Sequence, residues 1–452
     1  MIRLTAFFTA VVIAVTSFSV TAFAVDGVTA VRTKLIHEVQ SVGHYTNWAG
    51  ISNVAQFEYM GEYGFAYVKS DKQIAIVKSK GGEISGRILI PRTYPVFGTV
   101  TADSGGNYYI VWGKTGTSPA EKTVFISKYD ANGKLIKTAG FTGAVQGASG
   151  SETKIPFYAG NCVSLIADGK LIVQYTKERY DGHQQSDVIA VNISDMSPLA
   201  ENAFDPWTGH SFDQRVLLYR NNTVLFAEQG DCFPRGFHVT AYDTLGKEVS
   251  SGDGVYFNFW VQPDTYKKYD MSLLNQTRAN IGGFAETDKG VALIGTSVKS
   301  LSENAVNENK QLFVQIFDPL KDRNDSTAYV TKGTRSGLAG KNGDERVTDY
   351  GVKWLTNYDK SVITDVQAVR VQEKILILYR LYANKSTKLY RVILDQNGSA
   401  EGKAESLGDI QLNTDEPPVV IGGTVYWTAN GKDSKQSTDK YMTVYAIDMG
   451  VS

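Results

Sequence analysis

The chain predicts an all-β fold built from one repeated unit, and three observations carry that expectation. Helical periodicity is weak along the whole length, while alternating or continuous β-branched and aromatic runs dominate. Between Phe57 and Asp448 one theme recurs about seven times: an apolar strand, a tight turn, a second strand, a polar loop, and a third strand ending in Asp with Gly or Asn soon after. The clearest copies are 107–113 with 123–133, 374–379 with 389–398, and 424–428 with 442–448. Units of three or four short strands repeated about every 40–60 residues can bury their apolar faces against one another in a closed ring, the β-propeller. Seven blades are expected; six or eight stay open, because 251–277 and 322–351 do not fit the theme.

Taken in order, residues 1–24 read as a secretory signal peptide. Met1-Ile-Arg3 gives a positive start, Phe7 to Val20 an apolar run, and Ala22-Phe-Ala24 a small-x-small cleavage site. The run is short for a membrane span, and the polar chain after it has no stop-transfer charges. No Cys follows the cleavage site, so a lipid anchor is not indicated, and no membrane span is expected in the mature chain. The expected location is extracellular, with 25–452 forming a single propeller domain. Blades are expected at 56–90, 94–141, 155–199, 209–249, 278–320, 352–401 and 410–449. Residues 28–50 are candidates for a strand that completes the last blade and closes the ring, removing its open edges.

The turns fall into two populations. Tight ones join first to second strands (103–106, 167–169, 288–290, 422–423) and follow the third strands (129–133, 242–246, 395–398), where Asn, Asp and Gly supply the positive φ that hairpins need. Asp130-Ala-Asn-Gly133 resembles part of a calcium loop but lacks the remaining ligands, and reads as a turn. Second-to-third connections are longer and varied (114–122, 177–186, 297–310, 430–440), so length and variety collect on one face, where a rigid scaffold carries function.

Composition excludes several classes. A net charge of −1 argues against a nucleic-acid partner, whose binding depends on Lys and Arg neutralising phosphate. The five His show no His-x-His or His-Glu-x-x-His spacing, so no metal site is expected, and no motif calls for a cofactor. Neither a Gly-x-Ser-x-Gly elbow nor a phosphate loop nor a sialidase-type Asp-box is present. Cys162 and Cys232 are the only cysteines; in an oxidising compartment such a pair is expected to form one disulfide, and two buried thiols are the alternative.

Blade 4 holds the most individual stretch: Trp207-Thr-Gly-His-Ser-Phe-Asp-Gln-Arg215, then Gln229-Gly-Asp-Cys-Phe-Pro-Arg-Gly236. The first enters the innermost strand and the second is that blade's long-face loop. His210, Asp213, Asp231 and Arg235 are therefore expected near the channel mouth, a set able to hold a carboxylate, a sugar hydroxyl or a phosphate. The same residues suit an internal clamp in which a buried Asp–Arg pair ties neighbouring blades. The segments His-Ser-Phe-Asp-Gln and Gly-Asp-Cys-Phe-Pro-Arg-Gly resemble a recurrent signature of secreted bacterial β-propeller proteins of uncharacterised activity; the resemblance covers this one blade and implies fold alone.

Aromatics cluster at Val255-Tyr-Phe-Asn-Phe-Trp260. Extended, this segment puts Tyr256, Asn258 and Trp260 on one side, a stacking platform for sugar rings to which Trp207 adds; the alternative is an outer strand of blade 4. The sequence is thus read as a secreted binding propeller that recognises extracellular carbohydrate or a cell-surface protein through its long-loop face. The alternative is a polysaccharide hydrolase or lyase using His210 with Asp213 or Asp231 as acid and base, and Arg235 to hold an acidic group.

Overall fold

The computed structural model describes residues 22–25, 28–35, 54–144, 150–158, 160–200, 203–206, 211–230, 236–249, 254–258, 278–299, 307–321, 351–413, 416–432 and 440–450. Within them lie seven antiparallel sheets, six of four strands and one of five. Blade 1 is β3 (Val54–Tyr59), β4 (Glu62–Ser70), β5 (Gln73–Lys80) and β6 (Glu83–Pro91). Blade 2 is β7 (Val96–Ala102), β8 (Tyr108–Gly113), β9 (Val124–Tyr129) and β10 (Leu135–Phe141). In blade 3, β11 (Thr153–Pro156) and β12 (Cys162–Ala167) both pair with one side of β13 (Lys170–Arg179), and β14 (Gln184–Asn192) takes the other. Blade 4 is β15 (Ser211–Tyr219), β16 (Thr223–Gly230), β17 (Gly236–Tyr242) and β18 (Gly254–Asn258). Blade 5 is β19 (Asn280–Thr287), β20 (Gly290–Ser297), β21 (Gln311–Phe317) and β22 (Val352–Trp354). Blade 6 is β23 (Val362–Val371), β24 (Lys374–Ala383), β25 (Ser386–Leu394) and β26 (Glu405–Gly408). The last blade joins β27 (Val419–Ile421), β28 (Thr424–Lys432) and β29 (Lys440–Asp448) to β2 (Val28–Leu35) and β1 (Ala22–Val25).

Successive innermost strands touch all the way round, and β27 touches β3, so the ring is closed. The chain is a seven-bladed β-propeller. The expected N-terminal closing strand is present: β2 pairs antiparallel with β29, from Val28 opposite Ile447 to Leu35 opposite Lys440.

Strand alternation explains why the middle strands read as unbroken apolar runs rather than as every second residue. On β24, Ile375, Ile377 and Tyr379 pack toward blade 5, while Leu376 and Leu378 pack toward the last blade. Each blade is thus buried on both faces, and the core is divided among seams between neighbours instead of forming one centre. Where two innermost strands come closest, side chains are excluded: a Cβ on Gly283 of β19 would lie 2.5 Å from the Ala368 carbonyl oxygen of β23.

Buried polar groups fasten these seams. Gln56 Nε2 donates to the carbonyls of Glu416 and Pro417, while its Oε1 accepts from Tyr63 Oη and the Thr428 amide, joining blade 1 to the last blade. Asn161 makes a paired contact with the backbone of Gln214, Gln229 Nε2 donates to Ala279 O, and Gln367 Nε2 donates to Asn413 O. Inside blade 3 a buried Lys177 donates to Asp187 Oδ2 at 2.9 Å and to Gly143 O, and Tyr175 Oη donates to the same carboxylate. Each such bond satisfies a group that burial would otherwise leave at a cost of about 1–3 kcal/mol.

The recurrent Asp after the third strand has a clear task. Asp130, Asp243 and Asp395 each accept two turn amides, and the glycines at 133, 246 and 398 take φ of 79°, 91° and 71° to close those turns. The 130–133 segment is thus a turn, as read from sequence.

Three boundaries differ from expectation. The outer strand of blade 4 is β18, beyond the expected end at 249, so the aromatic segment supplies an outer strand. Residues 352–354 complete blade 5 by pairing with β21, instead of opening blade 6, and blade 6 ends on β26 past residue 401. A long connection before a fourth strand breaks the repeat that locates it. The 177–186 segment is a tight hairpin, since β13 and β14 stay paired to Glu178 opposite Gln184.

Deleting residues 28–35 is expected to abolish cooperative unfolding in a calorimetric scan, because β29 then becomes an open edge; a truncated protein melting like the full chain would refute closure by β2. The turn carboxylates give a pH dependence. At Asp103 and Asp395 burial opposes the charge, but bonds from Asn107 and Tyr109, and from Ser399 and Asn397, outweigh it and hold both carboxyls below their ordinary value. The stability they add is present above the unfolded value near 4 and is lost as pH falls through the lower folded values. Asp395→Ala is expected to cost about 0.5–1 kcal/mol in urea titrations near neutral pH and nothing at strongly acid pH.

Candidate functional site

Innermost strands have a partner on one edge only, so their free edges and the side chains beside them wall the ring axis. Bulges interrupt four of these strands: between Phe97 and Val100 on β7, Phe212 and Arg215 on β15, Ile281 and Gly283 on β19, and Ile363 and Asp365 on β23. Each bulge inserts a residue, twists the strand and re-aims the side chains that follow. The axis opens as a cavity of about 450 Å³ walled by residues from every blade, Gln56, Thr99, Ser164, Arg215, Glu286, Arg370 and Val420 among them. Phe57, Val100, Val216, Leu217, Phe284, Val369 and Pro417 make much of the wall apolar.

Asp213 lies in the β15 bulge with φ of 49°, a conformation that Asp tolerates better than most residues. Its carboxylate meets Arg215 Nη1 at 2.5 Å and accepts the backbone amide of Ile281, while Arg215 Nη2 donates to the Ile281 carbonyl at 3.4 Å. Burial pushes the Asp213 carboxyl up despite the adjacent guanidinium. The pair grips both polar groups of one residue on the next blade. Asp213 thus takes part in an inter-blade clamp with Arg215; the clamp expected from Asp231 and Arg235 lies outside the described residues. At the hairpin end of the cavity, Glu286 meets Arg220 Nε at 3.1 Å and Arg370 Nη1 at 3.9 Å, linking three blades.

Of the residues singled out from sequence, Trp207, His210, Asp231, Arg235 and Trp260 lie outside the described residues, and for Tyr256 the backbone of β18 alone is described. Cys232 also lies outside them. Cys162 is a free, buried thiol in the seam between blades 2 and 3, facing Gly98 and packed with Phe157, and burial raises its pKa well above the ordinary value. It is a core side chain on the seam away from blade 4. Glu58, Arg215, Glu286 and Arg370 were missed as wall residues. Their signal was a charge within a first strand, which the blade repeat would have placed on the axis.

No family model matches the chain, and no curated protein matches it. Among solved structures it is similar to the β-propeller domain of the Trilobed protease from Pyrococcus furiosus, at 10% identity and a TM-score of 0.40, over 87% of this chain and 99% of that one. It is similar to the WD40 domain of SCAP from fission yeast at 7% identity and a TM-score of 0.40, over 96% and 91% of the two chains. A Trypanosoma rangeli sialidase in complex with 2,3-difluorosialic acid aligns at 13% identity and a TM-score of 0.36, over 82% of this chain and 53% of that one. At these identities the likeness concerns fold, which the closed ring already establishes.

Arg215→Met is expected to cost about 3–5 kcal/mol, because it leaves the Asp213 carboxylate buried without its counter-charge. Combining it with Asp213→Asn should recover much of the loss, since no uncompensated charge then remains. Melting temperatures of the two variants check this, and equal losses in both would contradict the clamp.

Proposed function

We propose that this protein is an extracytoplasmic binding protein that takes carbohydrate in its axial cavity and carries out no chemistry of its own. The observation behind this reading is the cavity itself: about 450 Å³ of space with apolar walls and a few convergent polar groups. Pockets for small molecules run from about 300 to 1,000 Å³ and share that composition. One or two sugar rings fit such a space, laying C–H faces on Phe284 and the aliphatic wall while hydroxyls bond Thr99 and Ser164.

Export is part of the proposal. It rests on the leader-like start of the chain, and cleavage after Ala24 would remove most of β1 and leave the last blade with four strands like the other six. No helix among the described residues is long and apolar enough to cross a membrane. The hydrolase alternative is less favoured because Asp213, its one described acid, is committed to Arg215.

A glycan array with the wild-type protein and with Ser164→Trp tests this. Ser164 lines the cavity and is partly exposed, so a large side chain there fills space rather than core. Binding of at least one glycan should fall by about tenfold or more in the variant, a loss of about 1.4 kcal/mol, with the melting temperature kept. Equal binding by both proteins would move the site off the axis.

A further inference from the structure

We infer that the axial cavity selects a sugar bearing a free, protonated amine, with Glu58 as its counter-charge. This rests on the carbohydrate reading above and names the ligand class for that site.

The arginines of the wall are occupied. Arg215 is held by Asp213 at 2.5 Å and donates to the carbonyls of Gln214 and Ile281. Arg370 donates through Nε to Gln372 O at 2.7 Å and through Nη1 to Glu286 O at 3.3 Å, with the carboxylates of Glu286 and Glu373 within 3.9 Å. Glu286 is in turn bonded to Arg220. A guanidinium with its donors turned to backbone and carboxylate oxygens has little left to offer an anionic ligand.

Glu58 differs. It lies on the innermost strand β3, lines the cavity and is exposed, and among the described residues no Lys, Arg or His nitrogen comes within ion-pair distance. Carboxylate charge between low-dielectric walls concentrates the field along the axis and draws cations in. A hard divalent ion is a poorer fit, because calcium needs six to eight oxygens and no group of three or more His, Cys, Asp or Glu suited to a metal occurs among the described residues. An ammonium on a ring with apolar faces matches both the carboxylate and the Val and Phe wall.

Calorimetric titration with the β-linked glucosamine disaccharide and with its di-N-acetylated counterpart tests this, below the amine pKa, on wild type, Glu58→Gln and Ser164→Trp. The free-amine sugar should bind wild type about tenfold more tightly than the acetylated one, and Glu58→Gln should remove that preference while leaving the melting temperature unchanged. If both sugars bind wild type equally and Ser164→Trp loses both, the amine inference is overturned while the axial site stands. If the preference survives Glu58→Gln, Glu58 is not the counter-charge and the inference is overturned. No heat from either sugar on wild type also overturns it, and the glycan array then decides separately whether the axis binds any sugar.

Discussion

The pairing of β2 with β29 is the interaction on which the rest of this molecule depends. A ring of sheets built in sequence order has two ends, and unless they meet, the last seam is an open apolar face. Here β2 pairs with β29 of the final blade, so N-terminal and C-terminal strands are held by backbone hydrogen bonds within one sheet. Gln56 reinforces the join from the inside, its amide bonded at once to the backbone before β27 and to the hydroxyl and amide groups of Tyr63 and Thr428. Backbone pairing at the rim and a buried amide near the axis make the first and last blades one unit.

Closure sets the character of everything inside it. Because each blade is a wall between two seams, a side chain on a middle strand has a neighbouring blade on either side, and polar groups there must be paired. The recurring solution is a Gln, Asn or Asp–Arg group reaching across to the backbone of the next blade. Such groups add specificity of register to seams that hydrophobic packing alone would leave free to slide. The Asp213–Arg215 pair is the clearest case: a strained bulge residue, its counter-ion and both polar groups of Ile281 fit only one alignment of blades 4 and 5. Function is then confined to what closure leaves accessible: the axis and the outer loops.

Much of this architecture was legible because repetition makes each blade a reading of the others. The third-strand Asp, the turn glycines and the unbroken apolar middle strands all carry their physics locally, and the closing strand followed from the need to cover an edge. Fourth strands were legible only where a short turn precedes them; β18 and β22 come after long connections and pair by tertiary context. The site was harder to read. Asp213 stood out as a residue, but its partner two positions along the strand depends on a bulge that no local pattern announces. Glu58 and Arg370 look like ordinary surface charges until the ring places their strands on the axis. Cys162 illustrates the same limit, since the register of β12 against β13 decides which seam its thiol enters.

Ring closure depends on the register of the closing strand, and a pair of engineered cysteines tests it directly. Val31 lies opposite Val444 across the β2–β29 pair. Directly opposed residues of an antiparallel pair are about 4.5–5.5 Å apart at Cα, within the range a disulfide spans. Mild oxidation of the Val31→Cys/Val444→Cys protein should give a bond between those two positions in peptide mass mapping and raise the melting temperature, with either single variant unchanged. Failure of the pair to cross-link while the protein melts normally would mean that the ring is closed some other way, or not closed at all.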